Sequence, residues 1–180
     1  MAKRSLSIPA LNRLKAEEKN LVSDAPECGF LAEPQLQSEG LKDYSTWDIY
    51  INGSEGSLYE GTVLHAAIEF SSDYPITPPK MRFVSKMFHP NIYSDGKVCI
   101  STLHVADDDP SAYESPDEKW TPVHGIRTIV LGVISILNEP NIVSPANVDA
   151  SKMFKDDYEK YCNTVTALAR KESLKRVEKK

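Results

Sequence analysis

The sequence predicts an α+β fold: a four-stranded antiparallel sheet in meander order, with an N-terminal helix, a central buried helix and C-terminal helices. Three observations carry this expectation. Segments of alternating apolar and polar residues follow one another with short connections, whereas parallel strands would need crossovers of about a dozen residues or more. A dense apolar stripe at helical spacing comes after them. Strands first and helices afterwards place the helices on one face of the sheet.

The elements follow in order. Ser7 is a fitting N-cap and Pro9 suits a first helical turn, with Leu11, Leu14, Leu21 and Val22 near one face. Arg13, Lys15 and Lys19 fall off that face and read as solvated. Pro26 and Gly29 break the helix. Residues 46–51 alternate and end at Asn52 and Gly53, a strong turn signal. Residues 63–70 alternate again, with Leu64, Ala66, Ile68 and Phe70 on one side. A proline-dense segment over residues 74–79 leads to a short strand containing Met81 and Phe83. From residue 85 to 119 regular patterning stops, and a loop this long inside a compact domain is often functional. Thr121 then reads as an N-cap and Pro122 as the first residue of the central helix, whose stripe is Val123, Ile126, Ile129, Val130, Val133, Ile134 and Leu137. Pro140 ends it. Asn147 caps a short helix, and a last one runs through Tyr158, Tyr161, Cys162, Val165 and Leu168.

The 180 residues fit one domain spanning 1–180. A net charge of −5 argues against a general nucleic-acid binder, which needs a basic surface. The 3 cysteines are odd in number and too widely spaced for a disulfide scaffold or a CxxC site, and the 4 histidines lack ligand spacing, so no metal is expected. The longest apolar run, residues 129–137, is interrupted by Gly132 and Ser135 and is too short for membrane insertion. Lys3 and Arg4 precede no apolar stretch, so no signal peptide is read. The expected address is cytoplasmic or nuclear.

The chemistry is sought in the long loop. It holds His89, Pro90, Asn91, Ile92, Tyr93, Ser94, Asp95, Gly96, Lys97, Val98, Cys99, Ile100 and Ser101 in sequence. Cys99 follows Asn91 by eight residues. This resembles the active-site region of ubiquitin-conjugating enzymes, where His-Pro-Asn precedes the catalytic cysteine by that spacing. Trp47 with Gly53, Tyr59-Glu60-Gly61, the Tyr-Pro-x-x-Pro-Pro run beginning at Tyr74, Phe83, Trp120-Thr121-Pro122 and Glu139-Pro140-Asn141 agree with the family over roughly residues 8–172. The acidic stretch at about 104–119, with Ser101 and Ser144 where many relatives carry aspartate, is similar to a subgroup that builds degradation-signalling ubiquitin chains. A long acidic C-terminal tail found in one branch is absent; residues 171–180 form a short basic end.

The resemblance implies that Cys99 carries ubiquitin as a thioester. A thioester keeps an acyl group energised and reactive toward amines. Cys28, in a turn-like linker, and Cys162, beside Tyr161, read as structural. Asn91 allows two roles that do not exclude each other: a donor to the oxyanion formed when lysine attacks, or a brace for its own loop. His89 resembles the structural histidine of the motif. Pro90, Tyr93, Ser101, His104 and Ser144 belong to the implied active-site region, with His104 near the hinge of the insert. An attacking lysine, with a reference pKa near 10.4, needs desolvation or a proton acceptor. Asp107, Asp108 and Asp109 are the candidates for orienting it, against the plainer reading of a solvated acidic loop. Ile76, Pro122 and Val123 correspond by resemblance to loops presented to RING-type ligases, and Arg13 and Lys15 to the contact with the activating enzyme. A cis Tyr74–Pro75 peptide is implied as well.

No cofactor is expected, because the activating enzyme consumes the ATP. The implied partners are ubiquitin, the activating enzyme, a RING-type ligase and protein substrates; recruitment to the endoplasmic reticulum surface by a partner is compatible with the subgroup. Competing readings are a carrier of another ubiquitin-like modifier, a non-catalytic adaptor with the same fold, and a hydrolase pairing Cys99 with His89, His104 or His124.

Overall fold

Ser7 opens the first helix. Its Oγ accepts the Ala10 N–H at 3.3 Å and its carbonyl accepts the Leu11 N–H at 2.9 Å. In this computed structural model, which describes residues 6–24, 28–38, 40–105 and 118–173, the helix (α1) spans Ile8–Asp24. It buries Ala10, Leu14 and Leu21. Val22, expected on the same face, is exposed. One residue beyond Leu21 turns about 100° round the helix axis, which carries Val22 off the stripe.

Four strands follow: β1 (Phe30–Leu36), β2 (Lys42–Asn52), β3 (Val63–Glu69) and β4 (Lys80–Phe83). They pair in the order β1-β2-β3-β4, every pair antiparallel. This is the α+β meander that the patterning predicts. Trp47, Ile49 and Ile51 of β2 stand opposite Ile68, Ala66 and Leu64 of β3, and all six are buried on the helix-covered face. On the other face His65 Nε2 lies 2.8 Å from Asp48 Oδ1, and its ring stacks on Tyr50. β1 contains Pro34, which disguises it as a non-strand. It is an edge strand, and its register shifts between Pro34 and Gln35, so the missing N–H is tolerated. Asn52 and Gly53 end β2 without making a two-residue hairpin. Gly53 instead passes so close to Tyr59 that an added Cβ would sit 1.6 Å from its carbonyl oxygen. The Tyr74–Pro75 peptide is cis.

The central helix departs from expectation at its start. Thr121 and Pro122 lie in a turn closed by His124 N–H to the Thr121 carbonyl at 3.0 Å, and helix α2 spans Ile126–Asn138. Val123, read as part of the apolar stripe, is 86% exposed on that turn. Ile126, Ile129, Val130, Val133 and Leu137 are buried as expected. Gly125 is the N-cap and has no side chain to offer, so the cap comes from elsewhere: Glu17 Oε2 on α1 accepts the Ile126 N–H at 2.8 Å. A Cβ at Gly125 would lie 2.7 Å from that oxygen, so glycine here permits the close approach. Helices α3 (Val148–Asp156) and α4 (Tyr158–Glu172) follow, capped by Asn147 and Asp157. The end of α4 is tied to the sheet where Ser173 Oγ accepts the Val63 N–H at 2.9 Å.

Glu17 has further partners. Its Oε1 accepts the Tyr74 hydroxyl and, at 2.7 Å, Arg13 Nε, while Arg13 Nη2 donates to the His124 carbonyl at 3.1 Å. Arg13 is thus tied into the fold rather than simply solvated. Burial, followed by the charge of Glu17, pushes the Tyr74 phenol well above its ordinary value, so it remains a donor. Glu17→Ala strands the Ile126 N–H and the Tyr74 hydroxyl. It is expected to cost about 2–3 kcal/mol, read as a lower urea midpoint with an unchanged m-value. An unaltered midpoint would show that another group caps α2.

Candidate active site

The residues after β4 form a loop held by backbone hydrogen bonds and by side chains that bond the backbone. His89 is fully buried. Its Nε2 donates to the Ile136 carbonyl of α2 at 2.8 Å, and its Nδ1 accepts the Asn91 N–H at 3.0 Å. An acceptor at Nδ1 defines a neutral imidazole. Burial pushes its pKa down to about 4, with the Ile136 carbonyl pulling partly the other way. Both ring nitrogens are committed, so His89 organises the loop and has no free nitrogen with which to act as a base.

The chain then turns back on itself. Gly96 N–H meets the Tyr93 carbonyl at 2.8 Å and Tyr93 N–H the Lys97 carbonyl at 2.9 Å. Gly96 has φ +88°, and a Cβ there would lie 2.4 Å from the Phe83 carbonyl oxygen, so this position demands glycine twice over. The returning arm lies along β4, with Phe83 N–H to Gly96 O at 2.9 Å and Val98 N–H to Met81 O at 3.0 Å. Cys99 follows, its N–H held by the Asn91 carbonyl at 3.0 Å. The Asn91 side chain bonds the backbone of the segment after α2. Its Nδ2 donates to the Asn141 carbonyl at 2.8 Å, and its Oδ1 accepts the Asn141 N–H at 2.9 Å. Asn147 N–H reaches the Pro90 carbonyl at 2.9 Å. Three lengths of chain, around residues 89–92, 97–100 and 141–147, are thereby stapled together. The brace role of Asn91 is visible in these two bonds, and among the described residues the second N–H of its amide meets no acceptor.

Cys99 is half-exposed. His104 Nε2 stands 3.7 Å from its Sγ. Tyr93, largely open to solvent, is close enough that the negative charge of a Cys99 thiolate is the main cause raising its phenol pKa, with partial burial and a hydrogen bond to Cys99 adding to it. His104 is fixed through its backbone: its N–H donates to the Ser101 carbonyl at 2.8 Å across a 3-10 turn (Ser101–Leu103), and its carbonyl accepts the Trp120 N–H at 2.9 Å. Ser144 is exposed in the segment that carries Asn141. Asp107, Asp108 and Asp109 lie outside the described residues. Cys28 and Cys162, read as structural, are half-buried; Cys28 Sγ accepts Arg127 Nη2 at 3.6 Å. Among the described residues no group of His, Cys, Asp and Glu is placed to hold a metal, and no helix is long and apolar enough to cross a membrane.

The residues assigned to the ligase lie on linked loops. Ile76 is 73% exposed, and Pro122 and Val123 are exposed. Their loops are joined by Trp120 Nε1, which donates to the Pro75 carbonyl at 2.9 Å. Lys15 sits on α1 with its Nζ 5.9 Å from the Tyr44 ring centre. Sequence reasoning missed Glu17, Asn141 and Trp120 as site-building residues. Asn141 and Trp120 stood in quoted motifs, but a motif does not say which backbone group a side chain meets.

The buried His89 links stability to pH. An unfolded chain takes up a proton there below about pH 6.5, the native chain only near pH 4, so acid favours unfolding across that window. Wild type should lose up to about 3 kcal/mol more than His89→Asn between pH 7.5 and 4, measured by denaturant unfolding at each pH. Parallel pH curves for the two proteins would contradict the assigned neutral imidazole.

The chain is similar to known proteins along most of its length. The family profile described as "Ubiquitin-conjugating enzyme" matches residues 13–169. The chain is 47% identical over 162 residues to ubiquitin-conjugating enzyme E2-18 kDa of Schizosaccharomyces pombe, covering 90% of this chain and 95% of that one. It is 47% identical over 162 residues to human ubiquitin-conjugating enzyme E2 G2, with the same coverage of 90% and 95%. A probable ubiquitin-conjugating enzyme of Encephalitozoon cuniculi is 52% identical over 147 residues, 81% of this chain and 68% of the relative. The chain therefore belongs to the ubiquitin-conjugating enzyme family, a transferase whose partners are ubiquitin, an activating enzyme and ligases.

Proposed function

We propose that Cys99 is the residue that carries ubiquitin and that the cargo leaves it for lysine, building degradation-signalling chains with a RING-type ligase. The observation that supports this reading is the placement of a half-exposed thiol at the end of a stapled loop, with Tyr93 and His104 beside it. In the first step the Cys99 sulfur attacks the thioester carbonyl presented by the activating enzyme, and that enzyme's own thiolate leaves. In the second a lysine amine attacks the Cys99 thioester; the carbon–nitrogen bond forms, the Cys99 thiolate leaves, and the amine proton passes to solvent or a nearby acceptor. Both steps are acyl exchanges without net oxidation, so the chain needs no cofactor, and ATP is spent at the activating enzyme.

Asn91 holds Asn141 and has one amide N–H to spare for the oxyanion. His104, with Nε2 3.7 Å from the sulfur, is a group able to accept a proton or steady the departing thiolate. Asp107, Asp108 and Asp109 in the insert orient the incoming lysine, Ile76, Pro122 and Val123 meet the ligase, and Arg13 and Lys15 serve the activating enzyme, Arg13 with the part of its guanidinium bound to neither Glu17 nor His124. The catalytic unit spans the whole chain, working in cytoplasm or nucleus. A second reading has one observation in its favour: 3.7 Å between Cys99 Sγ and His104 Nε2 is also compatible with a hydrolytic Cys–His pair.

Incubation with activating enzyme, ATP and ubiquitin tests these alternatives. Wild type should form a thiol-labile adduct and Cys99→Ser a reductant-resistant ester, while the Cys28 and Cys162 variants still charge. Charging of Cys99→Ala would overturn the reading, and cleavage of an isopeptide bond without charging would favour the hydrolase.

Asn91→Ala removes the staple and the spare donor together. Charging exchanges one thioester for another, whereas lysine transfer also calls on the oxyanion donor. Single-turnover discharge should therefore slow by about 10²-fold, the scale of one lost oxyanion donor, with charging reduced far less. Equal losses in both steps would assign Asn91 to bracing alone.

A further inference from the structure

We propose that Trp120 is a positioning residue: it couples occupation of the surface formed by Ile76, Pro122 and Val123 to the placement of His104 against the Cys99 thiol. This rests on the reading that a RING-type domain docks on that surface.

Trp120 is almost fully buried and is tied in two directions. Through its indole, Nε1 donates to the Pro75 carbonyl at 2.9 Å, the residue before Ile76. Through its backbone, N–H donates to the His104 carbonyl at 2.9 Å. Its ring lies 6.0 Å from that of Tyr74 and 5.8 Å from that of His124, centre to centre. Pro122 stands two residues further along the chain. A close-packed aromatic ring transmits a push as a rigid body instead of absorbing it. The other buried indole makes a useful contrast. Trp47 Nε1 bonds the Tyr44 carbonyl at 3.0 Å, only three residues away.

The receiving end is sensitive. At 3.7 Å the contact between His104 Nε2 and Cys99 Sγ is long, and hydrogen bonds change steeply with distance and angle. A displacement of a few tenths of an ångström at the His104 backbone is enough to make or lose it. Trp120 also closes the base of the acidic insert, because its N–H joins the two stems at His104. A partner that shifts the Pro75 and Pro122 loops therefore moves both the imidazole and the origin of the insert.

The test uses the full chain and the RING domain, chosen from a panel, that most stimulates discharge by the wild-type protein. During NMR titration the His104 ring and the Trp120 indole N–H should shift together with Ile76, while the Trp47 indole stays still. Trp120→Phe keeps the aromatic packing and removes the bond to Pro75. It should bind the RING domain with near wild-type affinity. Its ratio of stimulated to unstimulated discharge should fall about fivefold, the lower end of coupling between two sites. In a double-mutant cycle, Trp120→Phe should take nothing further from that ratio once His104→Gln is present. Bound RING domain with unmoved His104 resonances overturns the proposal, as does an undiminished ratio in Trp120→Phe. The wild-type titration decides the matter even if that variant folds poorly. Absence of any shift at Ile76 with every RING domain would show that the docking reading had failed first, and the proposal would fall with it.

Discussion

The carboxylate of Glu17 is the constraint on which the arrangement of helix, loop and sheet turns. The N-terminus of a buried helix presents orphan N–H groups and the positive end of its dipole. In α2 the local chain supplies no cap, since Gly125 occupies that place. Glu17 meets the need from α1, and its second oxygen gathers the Tyr74 hydroxyl and Arg13. One group thus fixes the register of α1 against α2 and the seat of the Tyr74 loop. Sliding α1 by a turn would leave a helix N–H and a phenol without acceptors. Trp120 rests on that same Tyr74, so the surroundings of the thiol inherit the order that Glu17 imposes.

Around Cys99 the chain achieves rigidity by different means. Short bridges and backbone bonds to β4 hold one arm, while Asn91, Asn141, Pro90 and Asn147 bind the loop to the segment after α2. His89 is kept neutral by burial and spends both nitrogens on backbone partners. His89, Pro90 and Asn91 are buried, while the thiol they support is half-exposed. This suits a reaction in which both the donor and the acceptor are proteins too large to enter a closed pocket.

Much of this was legible in the sequence, and the limits have physical causes. Period-two alternation located β2 and β3 because each buries one face; Leu64, Ala66 and Ile68 point inward as read. β1 was hidden because Pro34 is admissible only at an edge, and edge position is a property of the sheet. The start of α2 was misplaced at Pro122 for a similar reason: Thr-Pro is a good local opening, but Glu17, 109 residues away, caps Ile126 instead. The spacing of Asn91 and Cys99 marked the site. What Asn91 holds could not be read, because Asn141 comes near only after α2 has packed against the sheet.

The arm that brings Cys99 into place has a second consequence, for solubility. A sheet's last strand ordinarily presents unpaired N–H and C=O groups, a template on which another chain can add. Here Gly96 and Val98 occupy those groups of Phe83 and Met81, so β4 is sealed by the very segment that leads to the thiol. At the opposite margin, Pro34 and the register shift beside it disturb the row on β1. A swing of the loop wide enough to carry Cys99 away would uncover β4 as a sticky border. Protection against aggregation and fidelity of the thiol's position are therefore maintained by the same two backbone hydrogen bonds.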